Sequence, residues 1–163
     1  MEKEYFEDCC VGDRLVTPGR TITETDIVMF AALSSDWNAR HTDKEFAKTT
    51  IFGERIAHGM LTLVLGTGLL FRLNENQLIP NSFIAISGLD KIRFVAPVKI
   101  GDTLHLEGEI ADMTTIKDQR GTIIIKIKIK NQNKRSVIIG RVKLMAGCRP
   151  IKKNECQKVP SDG

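Results

Sequence analysis

The feature that most constrains the fold of this chain is an apolar segment near its middle. Within residues 60–71 only Thr62, Gly66, Thr67 and Gly68 are not strongly apolar. A membrane-spanning helix needs roughly 20 such residues, so the segment predicts a buried core helix instead. Because its apolar side chains occupy every side of a helix, we expect protein to surround it. The two glycines each cost about 1 kcal/mol in a helix interior, which predicts a close approach of another backbone or of a ligand.

The second half of the chain alternates between apolar and polar residues. Such a period of two is typical of strands with one buried face and one solvated face. It predicts strands within residues 83–98, 102–113, 121–130 and 136–147, and an earlier strand is expected around residues 13–17. Helices followed by an antiparallel meander form an α+β architecture. We predict that the sheet curls around the apolar helix.

The composition is that of a globular protein, with 42% hydrophobic and 27% charged residues in a chain of 163. This length predicts one domain, over residues 1–150, followed by a polar C-terminal tail over residues 151–163. The charged N-terminus lacks the apolar run of a signal peptide, which predicts a cytoplasmic protein.

Neither a metal nor a nucleic acid is an expected ligand. The four cysteines form no C-x-x-C pair, and the three histidines show no metal-ligand spacing with them. The net charge is +4, with an excess of basic residues in the second half. Those at 123–130 alternate with isoleucines, as on the solvated face of a strand, although the basic half could also attract the phosphates of a cofactor. Aromatic residues do not interleave with basic ones, which argues against nucleic-acid binding.

Two helices are predicted on either side of residues 34–41, the sequence SSDWNARH. Thr23 and Asp26 form a capping-box pattern ahead of apolar residues at helical spacing, which predicts a helix over residues 24–33. The same pattern, beginning at Thr42, predicts a second and shorter helix. The stretch between them is then a polar connection held at both ends. Such a connection positions side chains better than a free loop does.

This connection carries an acid and a base. Asp36 and His41 are five positions apart in a bent segment, so their side chains can converge on one water molecule. Both residue types act as general acids and bases when their surroundings move their pKa values toward neutrality. The alternative is structural: an Asp that ends a helix and a His whose ring binds a backbone carbonyl.

The start of the apolar helix is a second candidate for chemistry. Residues 56–60 contain no Ser, Thr, Asp or Asn that could cap its first N–H groups. Gly59 would let a ligand oxygen reach these donors, where the helix dipole favours negative charge; the alternative is that His58 or water completes the cap. Further along, Thr67 lies two turns beyond Met60 on the same face. Its hydroxyl either reaches the site or bonds to its own backbone.

Several short motifs follow one another along the chain at characteristic spacing. They are Asp-x-Asn-x-x-His at 36–41, Phe-Gly at 52–53, Ala-His-Gly-Met-Leu at 57–61 and Phe-x-x-Pro-Val-x-x-Gly-Asp-Thr-Leu at 94–104. Together they resemble the MaoC-like, (R)-specific enoyl-CoA hydratases, over about residues 6–145. The resemblance implies a hot-dog fold, in which a long helix is wrapped by a curved antiparallel sheet. It also implies a homodimer or an assembly of dimers.

The resemblance further implies a reaction. Asp36 and His41 would hold and activate a water molecule, and Gly59 would donate its N–H to the carbonyl oxygen of an acyl thioester. Such an enzyme interconverts 2-enoyl and (R)-3-hydroxyacyl thioesters of CoA, or of an acyl carrier protein. It uses no cofactor beyond the CoA of its substrate.

Five further residues are expected to support this site or to bind the substrate. The resemblance implies that Asn38 braces the loop and that Thr67 keeps a hydroxyl near the acid/base pair, while His58 and Met60 flank Gly59. Arg40 departs from the family, whose members usually have Pro-Leu before the His. Its charge could meet a carboxylated acyl group or a CoA phosphate, or it could point to solvent.

Two other functions are compatible with the same fold, since a fold does not determine function. One is an acyl-CoA thioesterase, although nothing in the chain resembles the carboxylate that such enzymes present on the central helix. The other is a non-catalytic, acyl-thioester-binding subunit of a larger complex. Retention of both Asp36 and His41 argues against that role.

Overall fold

The computed structural model describes residues 2–72 and 78–150, so the predicted tail over residues 151–163 lies outside the described residues. The architecture is α+β, as predicted. The helices are α1 (Glu24–Ser34), α2 (Ala39–Thr42), α3 (Lys44–Lys48) and α4 (Gly59–Gly68). The strands are β1 (Arg14–Val16), β2 (Arg20–Thr21), β3 (Phe83–Phe94), β4 (Thr103–Ile116), β5 (Arg120–Lys130) and β6 (Ser136–Gly147).

The sheet is antiparallel, but its strand order is not the simple meander that we predicted. The order is β1-β4-β5-β6-β3, with β2 also pairing with β4. A meander would place β3 beside β4, yet both edges of β4 are already taken by β1 and β2 on one side and by β5 on the other. The chain therefore crosses after β3, which pairs instead with β6 and forms one edge of the sheet.

The two faces of the sheet follow the alternation in the sequence. In β5 the side chains of Ile123, Ile125, Ile127 and Ile129 are fully buried, whereas Lys126 and Lys128 are exposed. The lysines of this segment therefore lie on a solvated strand face, as the pattern indicated. The buried face packs on α4 in one core, and the resulting arrangement is that of the predicted hot-dog fold.

Helix α4 is only partly enclosed by its own chain. Leu61, Leu63 and Gly66 are buried, but Met60 and Val64, one turn apart, are each 55% exposed. The prediction that protein surrounds this helix is therefore wrong for a single chain. The curved sheet covers one side of the helix and leaves a strip of the other open. Within residues 2–72 and 78–150, no helix has the length and apolarity needed to cross a membrane.

The helix ends follow local side-chain chemistry. The predicted capping box of α1 is confirmed: the Thr23 hydroxyl accepts from the Asp26 N–H, and the Asp26 carboxylate accepts from the Thr23 N–H. The predicted cap of the next helix was wrong by one residue. Asp43, rather than Thr42, accepts from the first N–H groups of α3, because a carboxylate there reaches two of the unpaired donors.

The motif at residues 94–104 forms the turn that leads into β4. Gly101 has a φ of 96°, a conformation that other residues rarely adopt. Beside it, the buried Asp102 carboxylate accepts from the Lys99 N–H at 2.8 Å and from the Gln132 side chain at 2.7 Å. The turn is therefore tied to the β5–β6 connection and holds the segment against which α4 begins.

The two glycines of α4 differ in their surroundings, so their replacement should have opposite effects. A Cβ at Gly66 would stand within 2.8 Å of Cγ1 of the buried Ile129, whereas a Cβ at Gly68 would meet nothing within 4 Å. The predicted close approach of another backbone is therefore wrong for both glycines, since a side chain stands against Gly66 and, among the described residues, no atom stands against Gly68. Gly66→Ala should lower the free energy of unfolding, because overpacking costs about 1–3 kcal/mol and outweighs the helix-propensity gain of about 1 kcal/mol.

Gly68→Ala is the matched control and should leave the free energy of unfolding unchanged or raise it slightly. Urea denaturation of both variants measures the difference. Equal stability of the two variants would contradict the packing described for α4.

Candidate active site

The connection SSDWNARH is partly helical. Helix α1 ends at Ser34, the following Ser35 adopts the left-handed conformation with a φ of 61°, and α2 begins at Ala39. The Asn38 side-chain oxygen caps α2 by accepting from the Arg40 N–H at 3.1 Å. Its backbone N–H donates to the Asp36 carboxylate at 3.3 Å. These short-range bonds give the segment around Asp36 a defined shape.

His41 lies at the buried end of this segment, with 7% of its surface exposed. Its Nδ1 is 2.7 Å from the Ile56 carbonyl oxygen. Because a carbonyl can only accept, Nδ1 carries the proton, and Nε2 of the neutral ring is left with a free lone pair. Burial lowers the pKa of His41 below its usual value, and this effect outweighs the carbonyl bond, which alone would raise it. His41 is therefore set up as a neutral base.

Asp36 brings a carboxylate to the same place. One of its oxygens, one ring nitrogen of His41 and one ring nitrogen of His58 all lie within 4.8 Å of one another. The carboxylate is exposed, whereas both imidazoles are buried. The loop thus presents a solvent-accessible acid beside a buried base, and a single water molecule can reach both.

The start of α4 has no side-chain cap, as predicted. The helix begins at Gly59, and His58, in the capping position, makes no capping hydrogen bond with its side chain. Its ring turns instead toward the loop, where Nε2 donates to the Asp36 carbonyl oxygen at 2.9 Å. Gly59 is exposed, so the unpaired N–H groups at this helix start are accessible to a ligand oxygen.

An apolar cavity of about 310 Å³ adjoins this helix start. One of its walls is the Phe94 ring, which would lie 3.0 Å from a Cβ at Gly59. The other lining residues are Phe52, Ile56, Ala57, Thr62, Val95, Ala96, Pro97, Val98 and Ile138. None of these side chains is charged, so the cavity suits the apolar part of a ligand whose polar atom lies at Gly59.

Three residues named from the sequence are not brought into this cluster. The Thr67 hydroxyl donates to the Leu63 and Val64 carbonyls, at 2.8 and 3.2 Å, so its proton is used within α4. Met60 is exposed on the open strip of the helix. Arg40 is also exposed, and its Nε donates to the Asn38 side chain at 3.1 Å.

Sequence reasoning missed two contributors to the site. The Ile56 carbonyl orients His41, and Phe94 packs against Gly59. Neither carries a signal of its own, because a backbone carbonyl belongs to every residue and an apolar ring suggests core. The Phe94 motif was visible in the sequence, but its placement depends on the pairing of β3 with β6.

Two imidazoles and a carboxylate are also the groups that hold metal ions. Here the His41 and His58 rings stack, with centroids 3.9 Å apart and planes inclined by 29°. Each ring has one nitrogen bound to a backbone carbonyl, His41 through Nδ1 and His58 through Nε2, so each retains one nitrogen for a proton or an ion. The cluster therefore has the groups for proton transfer and also those that a metal ion would need.

Comparison with known proteins agrees with this geometry. Residues 10–132 match the MaoC like domain family. Protein MaoC of Klebsiella aerogenes is 41% identical over 118 residues, which cover 72% of this chain and 33% of that protein. The (R)-specific enoyl-CoA hydratase of Rhodospirillum rubrum is 39% identical over 61% of this chain and 65% of its own length. The chain thus spans about a third of the length of protein MaoC and about two thirds of the length of the hydratase.

Solved structures give the same result. A monoamine oxidase regulatory protein from Archaeoglobus superimposes with a TM-score of 0.85 at 35% identity, over 92% of this chain and 98% of that one. The R-hydratase PhaJ1 of Pseudomonas aeruginosa superimposes with a TM-score of 0.73 at 31% identity, over 90% of this chain and 88% of that one. With its hot-dog fold and this match over most of its length, the chain belongs to the MaoC-like domain family.

Proposed function

We propose that this protein is a hydratase/dehydratase that interconverts 2-enoyl and (R)-3-hydroxyacyl thioesters. One observation carries the proposal: a ring nitrogen of His41 and a carboxylate oxygen of Asp36 lie within 4.8 Å of each other, in the loop that His58 joins to the uncapped start of α4. Relatives named (R)-specific enoyl-CoA hydratase and 3-hydroxybutyryl-CoA dehydratase support the reaction class.

In the hydration direction, a water molecule is held by Asp36 and His41. The neutral His41 ring takes a proton from the water as the water oxygen adds to C3 of the enoyl group, and the C2–C3 double-bond electrons move to form an enolate. The enolate then takes a proton at C2 from the same pair. Both additions occur on one face, so the addition is syn. Dehydration is the reverse.

The enolate needs stabilisation at its oxygen. We propose that the Gly59 N–H donates to the thioester carbonyl, because the helix start leaves this donor unpaired and exposed. Loss of one such donor typically costs 10²–10³-fold in turnover. The adjoining apolar cavity gives room for the uncharged part of the substrate.

The remaining site residues act in support. Asn38 braces the loop through its cap on α2. Arg40 is available to an anionic group of an acyl-CoA or an acyl carrier protein, because the residue is exposed. The reaction needs no cofactor other than the thiol carrier of the substrate.

The Asp36 carboxylate should be essential for turnover but not for folding. Asp36→Asn should lower the rate of crotonyl-CoA hydration at least about a hundredfold, in line with loss of one member of an acid/base pair. Asp43→Asn is a matched control that should keep normal activity, since Asn also caps helices well. Loss of the enoyl-thioester absorbance measures the rate. Near-normal hydration by Asp36→Asn, or release of free thiol instead of hydration, would contradict the proposal.

The rate should also depend on the protonation of His41. Its pKa lies below the ordinary value of 6.5, mainly because of burial, so the base is neutral at pH 7 and is lost only as pH falls through that lowered pKa. The acid limb of kcat/KM should therefore have its midpoint below pH 6.5. A midpoint above pH 6.5, or a rate that does not fall on acidification, would exclude His41 as the base.

We further propose that the protein is a homodimer joined along β3. The large apolar side chains that this edge strand exposes by nearly half include Ile84, Ile86 and Leu89. Among the described residues no strand pairs with its outer side. Exposed edges of this kind favour pairing with a second strand, and a second copy would also cover Met60 and Val64 on α4.

Light scattering should therefore give twice the chain mass of 18.2 kDa. Ile86→Lys should shift the protein to the monomer, because a charge would be buried in the joined sheet. Val16→Lys, at an exposed position on the opposite edge strand β1, should leave the dimer intact. A wild-type monomer, or equal effects of the two lysines, would contradict the β3 interface.

A further inference from the structure

His58 is a buried residue that touches both halves of the candidate active site. It is 2% exposed and directly precedes the first residue of α4. Its carbonyl accepts from the Thr62 N–H at 3.0 Å and from the Thr62 hydroxyl at 3.1 Å. The backbone of His58 is therefore held in register with the N–H groups at the helix start.

The ring of His58 is held equally firmly, but by the loop. Nε2 donates to the Asp36 carbonyl oxygen at 2.9 Å, a bond between residues 22 positions apart. The ring stacks on His41 and also contacts the Phe30 ring of α1, with centroids 5.0 Å apart. A single side chain thus binds the backbone of the acid, packs on the base and belongs to the helix start.

Burial of the His58 ring also costs free energy that burial of an apolar side chain would not. Its Nδ1 is buried and has no hydrogen-bond partner among the described residues. A phenylalanine or leucine would fill the same space without an unsatisfied polar atom. The donor function of Nε2 is what these apolar residues would lack, so the contact with Asp36 explains a histidine here.

We propose that His58 is a positioning residue: its Nε2–H bond clamps the Asp36 loop onto the start of α4 and sets the distance between the acid/base pair and the Gly59 N–H. This inference rests on the proposed function. Apart from this bond of His58, the hydrogen bonds found between the loop and the segment leading into α4, within the described part of the chain, are those of Ile56 with Arg40 and His41. His58 itself transfers no proton in this account.

Two variants separate the clamp from the other contacts of the ring. His58→Gln keeps an N–H donor that can reach the Asp36 carbonyl but removes the stacked ring. His58→Phe keeps a ring against His41 and Phe30 but removes the donor. His105→Gln and His105→Phe are matched controls on β4, where His105 faces Glu107, away from the site. Circular dichroism and thermal unfolding check that all four variants fold.

His58→Phe should lose about a hundredfold in kcat, the effect of a displacement of about 1 Å between catalytic groups. KM should change little, since substrate binding is not the affected step. His58→Gln should stay within about tenfold of wild type, because the hydrogen bond is restored. It should also keep the wild-type acid limb of the pH profile, since His41 remains the base. Both His105 variants should behave as wild type.

Hydrogen exchange gives a readout that does not depend on activity. In His58→Phe the amides of residues 36–42 should exchange about tenfold faster, the effect of one lost hydrogen bond on local opening. In His58→Gln they should exchange at the wild-type rate. This result separates the clamp from the reaction: a wild-type protein without hydratase activity would refute the proposed function, and the exchange rates would still decide the role of His58.

Three outcomes would overturn the clamp. Equal loss of activity in both His58 variants, with loss of the acid limb in His58→Gln, would make His58 a proton-transfer group. Full activity in both variants would remove any role in positioning. Unchanged amide exchange in His58→Phe would show that other contacts hold the loop.

Discussion

The hydrogen bond from His41 Nδ1 to the Ile56 carbonyl is the interaction on which the rest of the site depends. It selects the tautomer that leaves Nε2 free, and it joins the loop to the segment that leads into α4. The Ile56 N–H returns a bond to the Arg40 carbonyl at 3.3 Å. Without these two bonds, the His41 ring would lose its fixed orientation, and the loop would lose its attachment to the segment before α4.

The fold provides this interaction with a rigid base. Ala57 donates to the Val98 carbonyl at 2.7 Å, and Ile56 bridges to Lys99, so the segment before α4 is held by the turn that contains Gly101 and Asp102. Helix α4 itself is fixed by packing of Leu61, Leu63 and Gly66 on the sheet. The loop that carries Asp36 is exposed, yet it is attached to a buried element. Its exposure would let a substrate reach Asp36, and its attachment keeps the position of His41 relative to α4 fixed.

Local patterns predicted most of this structure. The isoleucine–lysine alternation of β5, the capping box at Thr23 and the missing cap before Gly59 all depend on neighbours in sequence, and the structure confirms each one. The position of β3 beside β6 could not be predicted, because strand order depends on which edges remain free after other strands have paired. The bond from His58 to Asp36 was equally invisible, since it spans 22 residues. The prediction that protein surrounds α4 went too far. The apolar side chains of a helix indicate that they are covered, but they do not say whether the same chain covers them.

The central claim is that one water molecule, held between Asp36 and His41, supplies both the hydroxyl group and the proton on a single face of the substrate. Hydration of crotonyl-CoA in D₂O, followed by determination of the configuration at C2 and C3 of the product, tests this most directly. The account predicts an (R)-3-hydroxy product in which deuterium at C2 lies on the same face as the added oxygen. An (S) product, anti addition or a mixture of C2 configurations would contradict it.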